Sequence, residues 1–166
     1  MPDEGQEPVV DEFFYLWVLI AQTRDAMLRA RERDYARFGI TNERQAVLYI
    51  IDSNGGHATP VDIARDLFRE LHSVTGMLKR MEDAGLISRH EGPGRSKVEV
   101  RLTEQGRDVL EKSRHNETDK RILSVLTKRE RERLAACLWK VRGRVLEDLG
   151  IREWELHLPD PNQQGE

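Results

Sequence analysis

Side chains that carry positive charge or form hydrogen bonds gather in the middle of this 166-residue chain. They are Arg69, His72, Ser73, Thr75, Lys79 and Arg80, followed further on by Arg95, Ser96 and Lys97. Hydroxyl, imidazole and guanidinium groups can meet the donors and acceptors on base-pair edges. Lysine and arginine can also meet phosphates, which set affinity and register rather than sequence preference. These residue types indicate contact with DNA if the fold brings them to one surface.

Two short helices are predicted to position the first six of these side chains. Thr59 followed by Pro60, with Asp62 three residues after the cap, predicts a helix that ends near residue 68. A second helix is predicted over Leu71–Ala84, with Gly85 as its C-terminal stop. In a helix-turn-helix, the second helix reads bases with its N-terminal residues. The expected readers are Arg69, His72, Ser73 and Thr75, and the expected phosphate anchors are Lys79 and Arg80.

A hairpin is predicted directly after the helix pair. Its strands cover Leu86–Glu91 and Lys97–Leu102, and a glycine- and proline-containing turn joins them. An arginine on such an arm commonly enters a minor groove, where negative potential is focused. The plainer interpretation is a solvated surface hairpin. Its place after a capped helix pair favours DNA contact by Arg95, Ser96 and Lys97.

Long helices are predicted on both sides of this segment. The first runs from about Asp11 to Arg37, and its first two turns, FFYLWVLIA, are apolar on every side. A helix that is apolar all round is normally buried all round, so we expect a second chain to cover it. A helix over 104–125 follows the hairpin, and a capping box at Thr127 and Glu130 opens a final helix to about Leu149.

Composition argues against a membrane-spanning or disulfide-stabilised protein. The longest apolar run, Phe13–Ala21, is shorter than the roughly 20 residues that a bilayer requires, and the acidic start does not resemble a signal peptide. Cys137 is the only cysteine, and we expect a buried structural thiol rather than an oxidation sensor. The net charge of -3 does not exclude DNA, because a local excess of base can bind phosphates. We expect a cytoplasmic protein.

No pattern in the chain predicts catalysis or a metal site. The five histidines show no ligand spacing with Cys137 or with a pair of carboxylates. No phosphate-binding glycine loop, nucleophile elbow or catalytic carboxylate pair is present in the sequence. We therefore expect no catalytic residue, no metal ligand and no cofactor.

Motifs along the centre of the chain carry a more specific signal. The run LxxxxxSVTxxLxRMExxGLISR covers Leu67–Arg89, and VxLTxxG covers Val100–Gly106, with Gly94 and Arg95 between them. This spacing resembles the MarR family of winged-helix transcription regulators. TNERQAVL, at Thr41–Leu48, resembles the opening of that family's second helix. With the flanking helices, the similarity covers nearly all of residues 11–149.

The resemblance implies a mainly α-helical fold with a small β-hairpin wing (α+β), in which long terminal helices dimerise. Residues 1–10 are then a disordered lead-in, 11–150 a single winged-helix domain and 151–166 a tail. Within the domain, 11–38 and 104–149 dimerise and 41–103 bind DNA. Proteins of the family are homodimers that bind palindromic double-stranded DNA. They usually repress genes until a small, often aromatic or phenolic, ligand or an oxidant arrives.

Two positions depart from the family pattern. Gly94 stands where the family has an acidic residue before the wing arginine, so Arg95 lacks that orienting partner. Glu70 stands where a serine or threonine would cap the reading helix, and its charge would repel a nearby phosphate. Glu70 is therefore not among the expected DNA contacts.

An effector pocket in such a dimer would lie between the long helices and the winged lobe. Trp17 and Arg24 share one face of the first helix and would suit its aromatic wall and its cation. The plainer interpretation, which we favour, places Trp17 in the dimer core and Arg24 in an ion pair. Two alternatives for the whole chain stay open: a protein-interaction module built on a winged helix, and a constitutive DNA-binding protein without an effector.

Overall fold

The computed structural model describes residues 11–92, 98–114 and 117–152. Over these residues the chain forms seven helices and three short strands. The helices are α1 (Glu12–Ala36), α2 (Asn42–Ser53), α3 (Pro60–Asp66), α4 (Leu71–Asp83), α5 (Glu104–Arg114), α6 (Glu117–Leu123) and α7 (Lys128–Leu149). The strands are β1 (His57–Ala58), β2 (Ile87–Glu91) and β3 (Val98–Leu102). The predicted α+β class, mainly helical with a β-hairpin, is confirmed.

Helix boundaries follow the capping signals of the sequence. The Thr41 hydroxyl accepts a hydrogen bond from the Arg44 N–H at the start of α2. Thr59 with Asp62 at α3, and Thr127 with Glu130 at α7, form full capping boxes. Each cap satisfies helix N–H groups that have no partner in the helix itself. Local chemistry therefore fixes where these helices begin.

The three strands form one antiparallel sheet in the order β1-β3-β2. In the hairpin, the register pairs Ile87 with Leu102 and Glu91 with Val98. β1, whose Ala58 pairs with Val100 of β3, was not predicted from the sequence. A two-residue strand after a glycine pair has no alternation to detect, so only its pairing with β3 identifies it.

A continuous apolar core joins α2, α3, α4 and the sheet. Val47, Ile51, Ile63, Leu78 and Met81 are fully buried in it. On α2, Leu48 is also fully buried, whereas Ala46 is only partly buried. The core extends to Tyr35 near the end of α1, which anchors the lobe to the long helix.

Two glycines allow the lobe to close where a side chain would not fit. Gly85 ends α4 with a φ of 73°, a conformation that glycine adopts without strain. At Gly106, in the first turn of α5, an added Cβ would lie 1.9 Å from the Leu86 carbonyl oxygen. The glycine of the VxLTxxG motif therefore permits α5 to pack against the backbone at the start of the wing.

The segment after the hairpin differs from the single helix predicted over 104–125. The structure has α5 and α6 there, with residues 115–116 between them outside the described set. α6 packs against α1: the Thr118 hydroxyl donates to the Asp34 carboxylate, and Arg31 Nε lies 3.2 Å from Asp119 Oδ1. These polar contacts hold α6 on the long helix.

The apolar residues of α1 and α7 remain largely exposed within one chain. On α1 these include Phe13, Phe14, Trp17, Leu19 and Ile20, and on α7 Leu134, Leu138, Val141, Val145 and Leu149. Leu146 is the buried residue of α7. No helix of the described residues is both long and apolar enough to cross a membrane.

Candidate nucleic-acid interface

The turn between α3 and α4 sets the angle of the helix pair. Leu67 ends α3, and Phe68 follows with a φ of 53°, a left-handed conformation that is rare for a bulky residue. The Phe68 and Arg69 N–H groups donate to the carbonyls of Arg65 and Ala64, at 3.0 and 2.9 Å. This closed turn brings the chain directly into α4.

α4 buries one side in the core and leaves the other exposed. Val74, Leu78 and Met81 form its buried side. The exposed side chains, which we call the reading face, are His72, Ser73, Thr75, Lys79 and Arg80. Glu70 occupies the N-cap position without a side-chain hydrogen bond to the helix. The fold thus brings five of the predicted DNA-contacting residues to one surface.

The charge of the reading face depends on which acids are engaged elsewhere. Glu82 pairs with Arg89 of β2, with 3.1 Å between Glu82 Oε2 and Arg89 Nε. Within the described ranges, Lys79 and Arg80 form no ion pair with an acidic side chain. Asp83 is exposed at the end of α4. Two cations beside one exposed carboxylate therefore leave the C-terminal half of the reading face with a net positive charge.

Arg69 has a partner that the sequence analysis did not predict. Its Nη2 lies 2.7 Å from Glu43 Oε1, across a shallow cleft of about 70 Å³ that Ser73 and Arg80 also line. The two side chains are 55% and 59% exposed, so the pair adds at most about 1 kcal/mol to stability and can open cheaply. The residues are 26 positions apart, and no spacing rule links them.

Thr75 is on the reading face, but its hydroxyl proton is engaged. Its Oγ1 donates to the Leu71 carbonyl oxygen at 2.8 Å, one turn back in α4. Such back-bonding leaves the oxygen able to accept but not to donate to a base. If Thr75 contacts a base, we therefore expect its hydroxyl oxygen to accept a hydrogen bond from that base.

The remaining expected DNA contacts fall at the tip of the wing. β2 and β3 pair as far as Glu91 and Val98. Arg95, Ser96 and Lys97, together with Gly94, lie outside the described residues. Their DNA contacts stay predictions.

The residues expected for an effector lie on α1, away from the reading face. Trp17 is 72% exposed, and Arg24 Nη1 pairs with Asp25 Oδ1 at 2.9 Å. The ion pair agrees with the plainer interpretation of Arg24. The role of Trp17 and Arg24 in ligand binding stays a prediction.

The expectation of a buried Cys137 is wrong for the single chain, because its side chain is exposed on α7. The neighbouring Leu138 on α7 is 45% exposed as well. Within the described residues, no group of three histidine, cysteine or acidic side chains could hold a metal ion.

Comparison with family models identifies the central lobe. The model of the MarR family matches residues 40–94, which run from the residue before the α2 cap into the wing. No match to a curated protein is found.

Solved structures share the fold over most of their length. The organohalide-sensing transcriptional regulator RdhR, in its ligand-free and 2,4-dichlorophenol-bound forms, has a TM-score of 0.77 and 27% identity over 88% of this chain and 89% of its own. A mutant of E. coli MarR complexed with operator DNA has a TM-score of 0.74 and 25% identity, covering 81% and 99%. The S. aureus MepR–DNA complex gives 0.70 and 25%, again covering 81% and 99%.

Proposed function

Because the MarR family model matches residues 40–94 of its winged-helix lobe, we propose that this chain is a homodimeric DNA-binding repressor released by a small molecule. One observation carries the proposal. In the last two turns of α4 the reading face exposes two cations, Lys79 and Arg80, beside the single exposed carboxylate of Asp83, while Glu82 is engaged by Arg89. A positive face on an exposed helix end is the feature that phosphates and base edges require.

The dimer is supported by the apolar side chains that one chain leaves uncovered. Phe13 and Trp17 of α1 are 77% and 72% exposed, and the α7 stripe is close to half exposed. Removing this surface from water would supply the association energy. In a twofold dimer the two reading helices would enter successive major grooves about 34 Å apart. The DNA site would then be a palindrome.

A ligand would release the protein from DNA by changing the distance between the two winged lobes of the dimer. A molecule that binds better to the dimer with altered spacing weakens both reading helices together. Binding of 2,4-dichlorophenol by the similar RdhR supports an aromatic or phenolic effector class. Trp17 and Arg24 remain the candidate residues for its ring and its anion, although dimer packing of Trp17 and the ion pair of Arg24 with Asp25 are the interpretations that we favour.

Titration of labelled duplex DNA with the full chain tests the central claim. Duplexes are first enriched by the protein from a random double-stranded pool, and affinity is then measured by fluorescence anisotropy at several salt concentrations. We expect log K to fall linearly with log salt. Lys79→Ala should reduce the slope by about 0.9 per phosphate contact, or about 1.8 when both protomers lose one.

Lys128→Ala is the matched control, since Lys128 is an exposed lysine at the start of α7, away from the reading face. Its slope should equal that of the unmodified protein. A binding constant that does not respond to salt, or equal losses from both lysine variants, would contradict the proposal. Ser73→Ala should change sequence preference, whereas Arg95→Ala should weaken binding on all sequences.

The protein-interaction alternative has less support. It requires a neutralised reading face, and the engagement of Glu82 by Arg89 argues against that. The second alternative is a constitutive regulator without an effector. It is tested by measuring affinity for the enriched duplex in the presence of phenolic compounds, none of which would lower that affinity.

A further inference from the structure

An open groove lies on the flank of α4 opposite the Arg69 cleft. It has a volume of about 550 Å³ and runs between the start of α3, the start of α4 and β3. Val61, Leu71 and Val98 line it and are 52%, 46% and 42% exposed. Three half-exposed aliphatic side chains from three different elements therefore face one space.

The hydroxyl protons of the two threonines in the groove are already engaged within the protein. Thr75 Oγ1 donates to the Leu71 carbonyl oxygen, and Thr59 Oγ1 donates to Asp62 Oδ2 at 2.6 Å. Asp62 also accepts from the Thr59 N–H and lies 3.4 Å from Arg65. An incoming polar group would find few free partners, so the groove favours an apolar one.

The charge of this groove disfavours a DNA phosphate. Among the described residues that line it, the only formal charge is the Asp62 carboxylate, which would repel a phosphate. The opposite cleft, by contrast, is lined by Arg69 and Arg80. The two flanks of α4 therefore differ in the part of a duplex that they can accept: phosphate or a polar edge on one side, an apolar edge on the other.

The groove also lies at the end of α4 that a reading helix presents to bases. Leu71 is the first residue of α4 and Thr75 lies one turn later. Residues near the N-terminus of a reading helix reach base edges in the major groove. The apolar group that standard base pairs display there is the C5 methyl of thymine.

We propose that Leu71 and Val61 form an apolar contact for a thymine methyl group, and so specify thymine at one position of each half-site. This inference rests on the proposed DNA binding. Burial of one methyl group is worth about a fourfold change in affinity. Uracil lacks only this methyl and keeps the same pairing edge, so replacing thymine by deoxyuridine isolates the contact.

The experiment uses the full chain and the best duplex enriched from a random pool. Each thymine is replaced in turn by deoxyuridine, in both half-sites together, and affinity is measured by anisotropy. At one position per half-site we expect a loss of about fourfold per methyl, or about sixteenfold for the pair. The Leu71→Ala variant should bind the thymine and deoxyuridine duplexes with nearly equal affinity, because the leucine side chain that contacts the methyl group has been removed.

Three further variants make the result specific. Val61→Thr keeps the side-chain shape but replaces a methyl with a hydroxyl, and it should also reduce the thymine preference. Ser73→Ala, on the opposite flank of α4, should keep it. Val125→Ala, which truncates an 82% exposed aliphatic residue before α7, should keep both affinity and preference. Circular dichroism checks that each variant is folded.

The outcomes separate this proposal from the one it rests on. Salt-dependent DNA binding with no effect of deoxyuridine at any position overturns the thymine contact and leaves the DNA-binding function intact. The same holds if Leu71→Ala and Val61→Thr keep the full preference, as they would if a partner chain or the wing filled the groove. Failure to enrich any duplex would overturn both proposals.

Discussion

The winged lobe buries its apolar side chains within one chain, whereas the long helices leave theirs exposed. In the lobe, Val47, Ile51 and Leu78 are fully buried by elements of the same chain. On α1 and α7, residues such as Phe13 and Leu138 are 77% and 45% exposed although they recur at helical spacing. The lobe can therefore close its core alone, whereas the long helices need a second surface. Substitutions in the two regions should accordingly fail in different ways.

The largest effect is expected at the tightest contact of the lobe. Gly106→Ala would place a Cβ 1.9 Å from the Leu86 carbonyl oxygen, so α5 or the backbone at Leu86 must move. We expect a loss of about 3 kcal/mol in the free energy of unfolding, measured by urea denaturation at fixed protein concentration. Unchanged stability would mean that α5 does not pack on the wing in this way.

On the long helices, a charge should separate the chains without unfolding the lobe. Leu138→Glu would bury a carboxylate in the proposed dimer interface, and we expect the dimer dissociation constant to rise about a hundredfold or more. Sedimentation velocity measures the shift to monomer. Val125→Glu, also an exposed aliphatic residue, is the control and should stay dimeric. If the unmodified protein is already monomeric, the long helices do not need a second chain to cover them, and the contrast with the lobe fails.

The helical glycine of α4 should respond with the opposite sign to Gly106. At Gly76 an added Cβ would meet only Arg80 Nη1, at 3.6 Å, which is an ordinary contact. Gly76→Ala should therefore raise the free energy of unfolding by about 1 kcal/mol through helix propensity. Thermal melting tests the sign. An accompanying loss of DNA affinity would indicate that the helix backbone approaches DNA closely at this residue.

The smallest effect is expected at the start of α7, where the helix is held by local chemistry alone. Hydrogen bonds from the Thr127 backbone and side chain keep the pKa of Glu130 below its ordinary value of 4.5. This contribution to stability is present above pH 4.5 and is lost as the pH falls through the lowered pKa of the folded state. Thr127→Ala should return the pKa of Glu130 toward its ordinary value in an NMR titration. The variant should also melt at a slightly lower temperature than the unmodified protein at neutral pH. This difference should become smaller in acid, where Glu130 is protonated in both proteins.

Features that depend on neighbours in sequence were predicted well. The caps at Thr41, Thr59 and Thr127 needed only a hydroxyl and a carboxylate at the right spacing, and Gly85 needed only its conformational freedom. The same holds for the reading face, because helical periodicity puts Lys79 on the exposed side once Val74 and Leu78 are buried.

Features that join distant segments were missed or misjudged. Nothing in the local pattern around Glu43 indicates that it meets Arg69, nor that His57 and Ala58 extend the sheet beside β3. The exposure of Cys137 was misjudged because burial depends on which elements pack against α7, and periodicity does not specify that. The direction of the Thr75 hydroxyl could not be predicted, since a hydroxyl can turn either to its own helix or outward.

The sequence by itself determined most of the helices with their caps, the hairpin and the resemblance of the lobe to the MarR family, because each follows from residue types within a few turns of one another. The tertiary structure decided how the two flanks of α4 differ. Packing brings Glu43 beside Arg69 on one flank, and Val61 and Val98 beside Leu71 on the other. Those contacts depend on how α2, α3 and β3 meet around one core, and core geometry is a property of the whole fold.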